Sequence, residues 1–366
     1  METIVNIPET TKERVVIIGA GFAGLTLAKK LIGNRYQVVL IDRNNFHSFQ
    51  PLFYQVAMSG LEPSSICFPL RKIFQSKKDI HIRMAEVEKI NTSERYLLTN
   101  IGRCNYDKLV IASGAKTNFY GNKDIEENSF GLKSTGEAMY LRNQVLKDFE
   151  SALLTRDYDQ RQEYIDTVIV GGGPTGVELA GAIAEMKSYI LPKDYTELDN
   201  KEVDIYLIQS GDRLLPGMSE KSGKAAEDFL IKMGVNVIKN TRVTNVEENQ
   251  VILNNGQIIR TRKVIWAAGV TGASIEGIQA SSITSGNRYI VDEYHRIQGH
   301  KEIYALGDIA CMKTEKYPDG HPQVAQSALQ QADNLALLLV KDIEKKFVYQ
   351  DKGSMATIGR HRATVD

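Results

Sequence analysis

Two six-residue runs set the chemistry that can be read first. Gly19-Ala20-Gly21-Phe22-Ala23-Gly24 and Gly171-Gly172-Gly173-Pro174-Thr175-Gly176 both fit G-x-G-x-x-G. Each follows a β-branched run, Val15-Val16-Ile17-Ile18 or Thr167-Val168-Ile169-Val170, and each opens an apolar-periodic helix. The spacing suits a dinucleotide pyrophosphate. The first glycine allows a tight turn. The second carries no Cβ, so a phosphate can approach the backbone. The third lets helix and strand pack closely. The helix N-terminus adds unpaired N–H groups and the positive end of a dipole. In the first repeat the next strand, Val38-Val39-Leu40-Ile41, ends on Asp42, where a carboxylate accepts ribose hydroxyls. In the second, Asp204-Ile205-Tyr206-Leu207-Ile208 ends on the neutral Gln209. Two such folds in one chain call for two dinucleotides, and the economical pair is a flavin carrier and a nicotinamide donor.

Other residues sit where such ligands bind. Ala112-Ser113-Gly114 and Ala268-Gly269 are small-residue turns at strand ends, and Gly307-Asp308 closes another strand. Ligands bind at these carboxyl edges in open parallel sheets. The stretch from Arg43 to Ile66 is too irregular for one helix and too apolar for a surface linker. Its aromatics, Phe46, Phe49, Phe53 and Tyr54, either line a flat ring or pack between elements. A helix is expected over Ile66–Phe74, another from Gly136 to about Thr155, and a long one from Gln323 to Phe347. The last bears Gln326, Gln330 and Gln331 near its start. The residues after it, through Asp366, form no complete element in this reading.

The alternation of strands and helices places the chain in the α/β class, with two Rossmann-like dinucleotide-binding domains. Its 366 residues suit two domains, with 42% hydrophobic and 25% charged residues to build their cores and surfaces. Acids and bases balance at 45 each, so no net field recruits nucleic acid. Cys67, Cys104 and Cys311 make no C-x-x-C and no metal-ligand pair, which suits a reducing compartment and suggests no metal site.

Taken together, the motifs resemble the two-dinucleotide-domain flavoprotein oxidoreductases. More narrowly, four stretches resemble type II NADH dehydrogenases, the single-chain, non-proton-pumping NADH:quinone oxidoreductases. They are Asn45–Ala57, Gly171–Glu185, the Ala325-Gln326-Ser327-Ala328-Leu329-Gln330-Gln331 run, and Gly353–Gly359. The resemblance implies non-covalent FAD on Gly19, Gly21, Phe22, Ala23, Gly24, Asp42 and Arg43. Gln55, Val56, Ala57, Ala112, Ser113, Gly114, Asp308, Ala325 and Gln326 would complete that site. It implies NADH on Gly171, Gly172, Gly173, Pro174, Thr175, Gly176, Gln209, Ala268 and Gly269. Glu178 matches the family's glutamate beside nicotinamide and flavin, although a carboxylate near a helix N-terminus is also stabilised by the dipole alone. Gln326 and Gln330 would line the site of a quinone, menaquinone or ubiquinone; otherwise they are polar positions on an amphipathic helix.

The implied architecture is a FAD domain, residues 1–117 and 279–345, split by an NAD(P)H domain at 118–278. Residues 346–366 would begin a C-terminal membrane-associated region. The family continues into amphipathic helices that hold it on the membrane. Their absence from this sequence leads us to expect a truncated chain with weak liposome binding. Family members often dimerise, and the resemblance implies a peripheral place on the cytoplasmic face of the bacterial inner membrane. The family often has Glu where this chain has Gln209, with Arg213 four residues on. An amide does not repel a 2′-phosphate, so weakened discrimination against NADPH is expected, with NADH still preferred. Rival readings are a sulfide:quinone oxidoreductase or disulfide reductase, a reductase of a small electron-transfer protein, and an NADH-sensing flavoprotein. The first needs paired redox cysteines, and the second would not carry the Ala-Gln-x-Ala-x-Gln-Gln run.

Overall fold

The computed structural model describes residues 3–366, which form two compact units. The first contains the chain up to Ser48, Cys67–Lys116 and Val270–Lys352. The second contains Phe49–Ile66, Thr117–Gly269 and Gly353–Asp366. These limits differ from the sequence-based ones. The second unit takes Phe49–Ile66, which had been placed with the FAD domain, and Gly353–Asp366, while the first takes Val270–Lys352.

In the first unit the strands Ile303–Ala305, Lys108–Ile111, Glu13–Ile18, Tyr36–Asp42 and Ile80–Met84 lie in that order in one sheet. All four pairings are parallel. The side-chain period of two sorts the two central strands onto two faces. Val15, Ile17, Val38 and Leu40 pack under the helices Phe22–Leu31 and Ala325–Lys341. Val16, Ile18, Val39 and Ile41 pack with Ile90, Leu97 and Cys104 of a three-stranded antiparallel sheet. Both faces are buried, which explains the unbroken apolar runs in these strands.

The second unit repeats the plan. Its sheet orders Asn236–Ile238, Ile205–Ile208, Thr167–Val170 and Lys263–Trp266, again all parallel. In both units the strand entering the glycine turn is central. One neighbour ends on Asp42 or Gln209, and the other ends on a small-residue turn. That arrangement is a switch point, where parallel sheets bind ligands.

Three expected elements differ. The Ile66–Phe74 helix is replaced by the strand Cys67–Pro69, paired with Phe46–Ser48, and a helix of only Leu70–Ile73. Pro69 restricts the residue before it to extended backbone, so the helix begins after it. The long helix stops at Lys341 rather than Phe347. Asp342 adopts a left-handed conformation there, and Arg35 donates to Leu339 O at 3.1 Å and to the Asp342 carboxylate. A guanidinium on the last carbonyls ends the helix. The tail is not structureless. Met355–Thr357 and Ala363–Val365 form an antiparallel hairpin against the helices Pro174–Tyr189 and Glu220–Lys232. A Cβ at Gly181 would stand 2.6 Å from Gly359 N, so glycine permits that contact.

The second unit also buries an ion pair. Lys263 Nζ lies 3.2 Å from Asp148 Oδ2, with the side chains 0% and 2% exposed. Gln144 donates to the other carboxylate oxygen at 2.7 Å. Burial pulls the Lys263 amine down while Asp148 opposes it. Removing the anion strands a buried ammonium, so Asp148→Ala is expected to lower stability by about 3–5 kcal/mol. The double variant D148L/K263M should recover most of that loss. Urea unfolding followed through the single tryptophan, Trp266, measures both.

Candidate functional site

The first glycine turn is built by close approach. A Cβ on Gly24 would stand 1.9 Å from Gly19 O, and one on Gly19 would stand 2.3 Å from Ala112 O. Neither position admits a side chain. A Cβ on Gly21 would meet nothing within 4 Å. Gly21 is also the N-cap of the Phe22–Leu31 helix and makes no side-chain cap. Open space therefore lies directly before a helix N-terminus, as a pyrophosphate requires. Asp42 Oδ2 accepts the Ala20 N–H at 2.7 Å, and Oδ1 accepts the Asn44 N–H at 2.7 Å. The carboxylate is thus fixed at the mouth of the turn.

The remaining first-unit residues converge on this edge. Ala112 N–H bonds Ile18 O at 2.8 Å, and Ser113 Oγ donates to Ala273 O at 2.8 Å. Gly114 is left-handed at φ 71. Gly307, at φ 74, places its α-carbon between Ala23 and Ala328: a Cβ there would lie 3.6 and 3.5 Å from their methyl groups. Asp308 follows it, half-buried, and its carbonyl accepts from Gln323 Nε2 at 3.0 Å. His47 bonds Ala20 O through Nδ1 at 2.8 Å and meets Phe22 edge-on at 5.4 Å, so it is a loop-fixing residue. Arg43 is exposed. These residues fit FAD: open space at Gly21, two glycines that exclude side chains, and an oriented carboxylate.

The second turn copies the first. A Cβ on Gly176 would stand 1.9 Å from Gly171 O, one on Gly171 would stand 2.5 Å from Ala267 O, and one on Gly173 would meet nothing within 4 Å. Gln209 Oε1 accepts the Gly172 N–H at 2.9 Å, as Asp42 does for Ala20. Pro174 and Thr175 are exposed at the helix start. Tyr120 caps the far side, donating to Ala268 O at 2.8 Å. Its hydroxyl stands 2.7 Å from where a Gly269 Cβ would be, and Gly269 sits at φ 147, a backbone conformation that favours glycine.

Glu178 lies on the helix behind this turn. Its carboxylate accepts the Thr357 N–H at 3.4 Å. Thr357 Oγ1 is 2.8 Å from Tyr54 Oη, which in turn accepts from Gln55 Nε2 at 3.0 Å. Burial pushes the Glu178 carboxyl up to about 7, against the two Thr357 hydrogen bonds. Desolvation therefore outweighs any dipole effect.

Gln55, Val56 and Ala57 lie on the second unit's Phe53–Ala57 helix, which packs on Thr135–Leu154 and Pro174–Tyr189. Val56 and Ala57 are 0% and 1% exposed and serve packing, as does Phe53. On the Ala325–Lys341 helix, Gln326 Oε1 accepts the Lys352 N–H at 3.0 Å. Gln330 accepts the Gln350 N–H at 3.0 Å and donates to its carbonyl at 2.9 Å. Gln331, which had no assigned role, accepts the Gly307 N–H at 2.6 Å and holds the Gly307-Asp308 turn. Tyr120 and Thr357 had no role in the sequence reading, whereas Tyr54 was among the aromatics expected either to line a flat ring or to pack. Only the Gly353–Gly359 stretch had hinted at Thr357.

Comparison with known proteins adds independent information. The pyridine nucleotide-disulphide oxidoreductase family matches residues 13–332. The type II NADH:quinone oxidoreductase Ndh of Mycobacterium tuberculosis is 32% identical over 96% of this chain and 79% of its own length. The external alternative NAD(P)H-ubiquinone oxidoreductase B2 of Arabidopsis thaliana is 30% identical over 84% of this chain and 56% of its own. Among solved structures, NDH2 from Plasmodium falciparum in complex with NADH superposes with a TM-score of 0.89. It is 20% identical, with 97% of this chain and 90% of that one covered, and shares the fold.

The raised Glu178 carboxyl has a consequence for stability. A folded value of about 7 against an ordinary 4.5 means the fold favours the neutral acid. That contribution is complete below pH 4.5 and is lost as pH rises to about 7. Glu178→Gln mimics the neutral acid, so it should stabilise the protein by on the order of 2 kcal/mol more at pH 8 than at pH 5. Thermal melts of variant and parent at both pH values test this. Equal differences would show the carboxylate already ionised at pH 5.

Proposed function

The chain belongs to the type II NADH:quinone oxidoreductases of the pyridine nucleotide-disulphide oxidoreductase family, and on that premise we propose how its residues divide the work. The reaction moves a hydride from NADH to FAD and two electrons on to a quinone, without proton pumping. FAD, when bound, supplies that redox chemistry. The chain supplies binding, orientation and electrostatics.

In this reading Gly19, Gly21, Phe22, Ala23 and Gly24 hold the FAD pyrophosphate, and Asp42 holds its ribose. Ser113, Gly114 and Asp308 border the rest of the group. Gly171, Gly173 and Gly176 hold the NADH pyrophosphate, with Gln209 at the ribose and Ala268-Gly269 beside the nicotinamide end. The observation that supports this division is the repeated close-approach geometry, with an acid at one strand end and an amide at the other. Glu178, buried and poised near neutrality, holds or releases a proton through Thr357 and Tyr54 without a fixed charge beside the nicotinamide.

The disulfide route has little support. Cys104 is buried and its thiol is pushed up to about 11, away from a nucleophilic thiolate. Among the described residues no helix is long and apolar enough to cross a membrane. A peripheral place on the cytoplasmic face of the bacterial inner membrane, use of menaquinone or ubiquinone, and a homodimer are parts of this proposal that rest on the family.

Anaerobic stopped-flow tests the central reading. NADH should bleach the flavin band, and a soluble quinone should restore it within the same second-scale window. Bleaching without recovery would point instead to a protein acceptor. Donor choice follows from Gln209. Its Oε1 is held by Gly172, so the strand end offers a neutral amide rather than a charge that repels a 2′-phosphate. NADH should exceed NADPH in kcat/KM by less than about 100-fold, and Gln209→Glu should widen the ratio at least about tenfold. Steady-state kinetics with both donors measures it.

A further inference from the structure

Glu178, Gly181 and Glu185 stand three and four residues apart on the Pro174–Tyr189 helix, so they share one face. The 355–365 hairpin lies along that face. Glu178 accepts the Thr357 N–H at 3.4 Å, and Glu185 Oε1 accepts the Arg360 N–H at 2.6 Å. Gly181 forms a notch between them, where a Cβ would stand 2.6 Å from Gly359 N. The two glutamates differ in one respect. Arg360 Nε lies 3.5 Å from Glu185 Oε2, whereas burial and Thr357 are what act on Glu178. Other groups packed around this face are occupied. Tyr54 reaches Glu178 only through Thr357 Oγ1, and Lys224 of the Glu220–Lys232 helix pairs with Asp228 at 2.9 Å.

The other end of the hairpin is held by a charge. Ser354 and Asp366 exchange both backbone hydrogen bonds at 3.0 Å, and Thr357 pairs with Ala363 three residues further in. The Asp366 side chain then docks on the N-terminus of the Glu220–Lys232 helix. Its Oδ2 accepts the Ser219 N–H at 2.5 Å, and its Oδ1 accepts the Ser219 and Ser222 hydroxyls at 2.8 and 2.7 Å. A carboxylate in that place also meets the positive end of the helix dipole. Arg362 adds a contact to the same helix, 4.4 Å from the Phe229 ring centre. A strand register transmits a constraint along its length, so fixing Asp366 fixes Thr357.

We propose that Asp366 is a positioning residue for the NADH half-reaction: its carboxylate latches the hairpin to the Glu220–Lys232 helix, and the latched hairpin keeps Thr357 on Glu178 and water away from it. This rests on the reading of Glu178 as the carboxyl beside the nicotinamide. The latch is remote from both glycine turns, so it governs the proton on Glu178 without touching a dinucleotide.

Asp366→Asn keeps the side chain's size but replaces one accepting oxygen by a donor and removes the charge. Ser222→Ala deletes one of the three bonds and leaves Ser219 to cap its own helix at Ser222 N. In the FAD-loaded enzyme without NADH, D366N should speed hydrogen exchange at the Thr357 amide at least about tenfold, and S222A about threefold. Anaerobic stopped flow then reads the rate constant for flavin reduction by NADH against pH. The parent should show the Glu178 ionisation at about 7, and Glu178→Gln should remove it. In D366N the midpoint should fall by at least about half a pH unit, and in S222A by less. The fall follows because burial raises this carboxyl more than the Thr357 bonds lower it, and a loosened hairpin admits water. A purely structural latch would slow reduction at every pH and leave the midpoint in place. The proposal is overturned if Thr357 exchange is unchanged in D366N. It is also overturned if exchange quickens in both variants while the midpoint stays at the parent value. Should D366N fail to hold FAD, S222A carries both readouts. A parent profile that Glu178→Gln leaves unaltered would overturn the Glu178 reading itself, and that is seen before any latch variant is made.

Discussion

The structure depends on a backbone contact made twice. At Gly24 over Gly19, and again at Gly176 over Gly171, a helix descends on the turn below it until no Cβ fits. Everything that binds a dinucleotide follows from that descent. It aims the helix N-terminus at the strand edge, leaves open space at Gly21 and Gly173, and brings the neighbouring strand's last side chain onto the turn. Asp42 and Gln209 then make the same bond, at 2.7 and 2.9 Å, to the same peptide position. The geometry is duplicated while the charge is not. One turn presents an anion and the other a neutral amide, so donor specificity is adjustable without disturbing the fold that creates the site.

Environment gives similar groups different work. Asp42 is half-buried, with both carboxylate oxygens accepting N–H groups. Asp148 is buried and ionic because Lys263 faces it and Gln144 supports it. Glu178 has backbone and hydroxyl donors but no cation at hydrogen-bond distance, and desolvation carries it toward neutrality.

Much of this was legible in the sequence because it is local. The glycine spacing, the β-branched runs and the residue at the following strand end lie within about thirty residues of one another, and a βα unit has few ways to fold them. What was not legible is set by contacts far apart in the chain. The long helix ends at Lys341 because Arg35, 307 residues before Asp342, caps it. The burial of Val56 and Ala57 comes from helix packing that the irregular aromatic stretch does not show. The Met355–Val365 hairpin has short strands and weak alternation, and it is held by glycine contacts to another helix that periodicity does not show. The glutamines were visible as polar positions, but their partners were not.

The amides at Gln209, Gln326 and Gln330 show why residue type and role must be argued separately. At Gln209 the amide replaces an acid, and its consequence is the missing charge. At Gln330 it replaces a peptide, and its consequence is having a donor and an acceptor in one plane. Glutamate there would accept the Gln350 N–H but repel the Gln350 carbonyl, and lysine would do the reverse. A neutral side chain with both functions lets the helix satisfy both backbone groups of Gln350. Phe347 and Tyr349 anchor the same segment in the core. The amides of Gln330 and Gln326 set where Gln350 and Lys352 lie along the helix.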